Sequence, residues 1–65
     1  MNYLKIAEWA HKAETDARLI SQMYGVLGAV KGLSPQAIEA IKGDIETLKR
    51  SQAASEKLIR KYAGV

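Results

Sequence analysis

Residues 32 to 35 read Gly-Leu-Ser-Pro, and this one interruption decides what the rest of the chain can become. Gly32 suits the left-handed residue that ends a helix, Ser34 suits an N-cap, and Pro35 falls at a first helical position, where a missing N–H costs nothing. On either side lie arms of helical periodicity. The sequence therefore predicts helices over about 3–31 and 35–63, with a turn at 32–34; Asn2 is placed to cap the first and Gly64 to close the second. A connection this short makes its two helices neighbours that pack antiparallel. The expected fold is all-α, an antiparallel two-helix hairpin forming one domain.

Within the first arm, Tyr3, Ile6, Ala10, Ala13, Ala17, Ile20, Tyr24 and Leu27 follow the alternating three-and-four spacing of a coiled-coil seam. In the second, Ile38, Ile41, Ile45, Leu48, Ile59 and Tyr62 do the same, with Gln52 and Ser55 on the intervening positions. An antiparallel hairpin sets these two polar residues opposite Ala10, Ala13 and Ala17, so small or slender side chains meet and the axes approach closely. Tyr3 and Tyr62 are expected to meet at the end away from the turn. Gly25 and Gly28 each cost a helix about 1 kcal/mol relative to alanine, which points to close backbone approach or a kink.

A chain of 65 residues has room for one small core, and such a core rarely supplies more than ~3–5 kcal/mol. With no cysteine and one histidine, disulfides and protein-only metal sites are not expected, and nothing calls for a cofactor. Association is what remains. From Leu19 to Val30 there is no charged residue, and Trp9, Leu19, Ile20, Met23, Val26, Leu27 and Val30 crowd one flank of the first arm. That apolar sector is wider than the roughly 100° stripe one neighbour covers. The expectation is a homo-oligomer, most simply a dimer forming a four-helix bundle. Trp9, Leu19, Met23, Val26 and Val30 are its candidate dimer or partner interface. The uncharged run is shorter than the ~20 residues a membrane span needs, and Met1-Asn2-Tyr3-Leu4-Lys5 lacks the layout of a signal peptide; the expected location is the cytoplasm.

The formal net charge is +3, and its basic excess lies in Lys49, Arg50, Lys57, Arg60 and Lys61, which a hairpin returns beside Lys5 and Lys12. Lys5, Lys12, Lys49, Arg60 and Lys61 are thus the candidates for an anion or nucleic-acid surface, diluted by Glu39, Glu46 and Glu56. Elsewhere Glu8 and Lys12, Glu14 and Arg18, Glu46 and Arg50, and Glu56 and Arg60 stand four apart, acid first, the usual decoration of a solvated face. In length and plan alone, with no residue motif shared, the hairpin is similar to the plasmid RNA-binding protein Rop, which dimerises into a four-helix bundle; a Rop-like nucleic-acid binder using a basic outer face is one alternative. His11, Asp16 and Asp44 are expected at the surface, and two helices enclose no pocket for catalysis. The chain is therefore not expected to be an enzyme. The preferred expectation is a regulator, inhibitor or adaptor of the kind found in phages and mobile elements, binding an unidentified protein target through a helix face. A structural subunit of a larger particle is a further alternative.

Overall fold

The computed structural model describes residues 2–64. Helix α1 spans Tyr3–Ala29 and helix α2 spans Pro35–Ala63. They pack along their length as a rod of 49 × 15 × 14 Å. Both anticipated N-caps form. Asn2 Oδ1 accepts from the Lys5 N–H and Ser34 Oγ from the Ala37 N–H, each at 3.1 Å, which satisfies one of the N–H groups that every helix start leaves without a partner. Gly64 is left-handed at φ 79° and donates to the Arg60 and Lys61 carbonyls. At this same end of the rod, away from the turn, the Asn2 N–H reaches the Tyr62 carbonyl at 3.4 Å.

α1 stops at Ala29 rather than at 31. Val30 is already extended, at φ −89° and ψ 116°, with its N–H on the Val26 carbonyl; a β-branched residue adopts that conformation readily. Gly32, at φ 82°, then turns the chain, so the connection occupies 30–34.

α2 keeps its expected seam. Ile38, Ile41, Leu48, Gln52, Ile59 and Tyr62 are half-buried, Ile45 is 3% exposed and Ser55 is fully buried. Ser55 solves its polarity locally, donating to the Ser51 carbonyl at 3.0 Å, so a small residue sits at the contact with no hydroxyl left unpaired.

α1 differs from expectation in its rotation. Ile6, Ala13, Ile20 and Leu27 face α2 as the spacing requires, but the companion row is Trp9, Asp16 and Met23 instead of Ala10, Ala17 and Tyr24. Ala10 stays half-buried, whereas Ala17 and Tyr24 are exposed. Tyr3 is 75% exposed and makes no pair with Tyr62. Area favours the choice: Trp9 and Met23 together offer more apolar surface than Ala10, Ala17 and Tyr24, whose hydroxyl stays in water. Even half-burial of the pair gains a good part of the about 1.5–3 kcal/mol that full burial of one large side chain contributes. Asp16 is carried along because it lies seven residues from each. Instead of sitting at the surface it is 5% exposed. Rotation leaves two polar atoms buried without partners, Trp9 Nε1 and Asp16 Oδ2.

The glycines make no close approach. A Cβ added at Gly25, Gly28 or Gly43 meets nothing within 4 Å. Gly25→Ala and Gly28→Ala are therefore expected to stabilise the fold by about 1 kcal/mol each, read as a later midpoint in a urea melt followed by circular dichroism. A loss of stability at either position would reveal another chain lying against that flank.

Candidate functional site

In an antiparallel pair, the side of α1 occupied by a residue can be matched to a side of α2 by counting 100° per residue in opposite senses. Leu19, Val26 and Val30 then lie on the same side of the hairpin as Ala37, Ala40, Asp44, Thr47, Ser51 and Tyr62. Tyr24 lies on the other side with Lys42, Lys49 and Arg60. One contact verifies the assignment directly: the Lys49 ammonium sits 5.5 Å from the centre of the Tyr24 ring.

The first side is the apolar one. Leu19, Val26 and Val30 are 37%, 40% and 48% exposed, while Met23 and Trp9 are half-buried in the hairpin itself. The five candidate interface residues thus divide. Trp9 and Met23 form the edge of the internal seam, and Leu19, Val26 and Val30 project beside it with no neighbour on their outer side. Leu19, Met23, Val26 and Val30 are spaced four, three and four, so they make a second seam of the coiled-coil rhythm, sharing Met23 with the first. The sequence already contained this row, but a single-seam reading of the heptads concealed it.

The basic candidates do not gather in one place. Lys5 and Lys12 belong by helical phase to the apolar side, and Lys49 and Arg60 to the opposite one. Lys5 Nζ pairs with Glu8 Oε2 at 3.7 Å, Lys49 lies over Tyr24, and Lys61 stands 6.0 Å from the centre of the Tyr62 ring. Among the described residues the Lys5–Glu8 contact is the one ion pair; the acid-first pairs four apart do not close. An exposed pair in water gains little more than it loses in side-chain freedom, so open pairs are the ordinary outcome.

Lys49 carries a pKa above its ordinary lysine value, raised chiefly by the Tyr24 hydroxyl beside it, lowered in part by desolvation, and raised least by Glu46. A raised lysine pKa stabilises the fold fully below the unfolded value of 10.5 and is lost as pH climbs through the folded value. Lysine titration by NMR is expected to place the Lys49 midpoint above 10.5, and Tyr24→Leu to bring it down.

His11 is exposed, and its backbone carbonyl, not its imidazole, accepts the Thr15 hydroxyl at 3.0 Å. Among the described residues no group of three potential metal ligands converges, no pocket opens, and no helix is long and apolar enough to cross a membrane. No protein-family model, curated protein or solved structure matches the chain.

Proposed function

We propose that the protein is a small helix-face interaction module, a regulator, inhibitor or adaptor that acts without catalysis by laying the exposed edge of α1 against a protein surface. One observation carries this reading. Among the described residues a single large apolar side chain, Ile45, is buried, while Leu19, Val26 and Val30 stay more than a third exposed on an uncharged stretch. Ordering a residue costs about 1–2 kcal/mol of backbone entropy, and one enclosed isoleucine with a set of half-covered neighbours offsets little of it. Covering the second seam supplies the missing burial, so binding and stability become one event. The mechanism is occupancy: whatever accepts the Leu19–Val30 edge has that part of its own surface blocked.

A photo-crosslinking side chain placed at Val26, and in a separate variant at Lys42 on the opposite side, tests the reading in cells expressing the protein. Protein adducts are expected from position 26 and not from 42. Adducts arising only from 42, or adducts to nucleic acid with affinity falling steeply as salt rises, would replace this reading with a binder working through the basic side.

A further inference from the structure

We infer that the partner seated on the Leu19–Val30 edge is a second copy of the chain, packed with its turn at the same end, so that α1 of each copy lies against α2 of the other. The inference rests on the helix-face reading above and names its occupant.

Area is the first support. The chain exposes 4880 Å², whereas a compact monomer of 7.1 kDa is expected to expose about 4,100 Å². The surplus, about 800 Å², equals what each partner contributes to an interface of standard size. The radius of gyration agrees: it is 14.9 Å, against about 11 Å for a compact chain of this length. A rod of 49 × 15 × 14 Å laid beside a copy of itself becomes a four-helix bundle of ordinary proportions.

The distribution of side chains along the rod selects the orientation. Every member of the second seam lies in the half of α1 next to the turn. On the same side of the hairpin, the half of α2 next to the turn presents Ala37, Ala40 and Thr47 with one charged residue, Asp44, among them. A two-fold axis parallel to the helices brings these halves together, long apolar side chains over short ones, and neighbouring helices then run antiparallel at about 8–10 Å separation. The competing arrangement, α1 against α1 with turns at opposite ends, sets Leu19 to Val30 over Lys5, Glu8 and Lys12. That would take three charged groups out of water against this seam where the same-end arrangement takes one, Asp44, and the larger number is the more costly.

The chain has no cysteine, so Lys31→Cys puts one spin label in the turn of each copy. Light scattering of the labelled full chain is expected to give twice the monomer mass. Pulsed electron resonance is expected to give a label separation of roughly 10–20 Å, set by the width of a four-helix bundle. A dimer with labels separated by nearly the 49 Å rod length would overturn the same-end arrangement and leave the helix-face reading standing. A folded monomer would overturn self-association while leaving a heterologous partner for the same edge. A short separation that persists at unchanged affinity in Leu19→Ser, a milder change than an introduced charge, would overturn the assignment of the edge.

Discussion

Val26→Asp is expected to weaken self-association by about a hundredfold or more and to remove much of the helical signal along with it. The reason is that this substitution puts a carboxylate into the middle of the second seam, where a two-fold assembly meets it twice. A charge enclosed without a partner costs several kcal/mol, and every 1.4 kcal/mol is about tenfold in a binding constant. Because one hairpin encloses little more than Ile45, separated chains have little left to hold α1 against α2. Sedimentation and far-ultraviolet circular dichroism, run over a concentration series, measure both consequences. Lys42→Glu, on the opposite side, is the matched control and is expected to change neither. A Val26→Asp protein that remained a well-folded hairpin with an unchanged melt would mean that the internal seam suffices and the outer one is decoration. Ionic strength separates this picture from nucleic-acid binding: two copies of a chain with net charge +3 repel weakly, so salt is expected to favour the dimer slightly.

Asp16→Leu is expected to stabilise the protein by about 1–3 kcal/mol, the cost of keeping a buried polar atom without a partner. For a domain of this size each kcal/mol moves the melting temperature by roughly 4–8 °C, measured at fixed protein concentration because association contributes. Asp16 Oδ2 is enclosed between the helices with no donor, and Ser55, the fully buried polar residue of the facing seam, spends its hydroxyl on the Ser51 carbonyl. An apolar side chain of similar reach removes the unpaired oxygen and adds covered surface. Asp16→Asn, which keeps an amide in the same place, is expected to gain less. If Asp16→Leu instead lowers the melt, the carboxylate has a donor in the assembled protein, and the second copy is the first place to look for it.

These two substitutions stand at neighbouring points on one problem. α1 has more apolar surface than a single neighbour can cover, and it turns its largest members, Trp9 and Met23, toward α2. That rotation encloses Asp16 and the Trp9 N–H on one edge and leaves Leu19, Val26 and Val30 outside on the next. Burial of two large side chains and exposure of three medium ones are consequences of the same angle.

The hairpin, its two N-caps, the Gly64 cap and the bounds of α2 were legible from the chain alone, because asparagine, glycine, serine and proline act on the backbone locally and their effect does not depend on what packs nearby. The seam of α2 was legible for a related reason: its isoleucines and Leu48 all fall on one three-and-four seam, so one rotation serves them. The rotation of α1 was not. Two rows of seven-residue repeat, offset by one residue, Ala10, Ala17, Tyr24 and Trp9, Asp16, Met23, fit the spacing equally well, and only the packing of the whole helix against α2 selects between them. The fate of Asp16, the exposure of Tyr3 and Tyr24, and the separation of Lys5 and Lys12 from Lys49 and Arg60 all follow from that selection. Local chemistry determined which residues are helical; the competition for covered area between two whole helices decided which way they face.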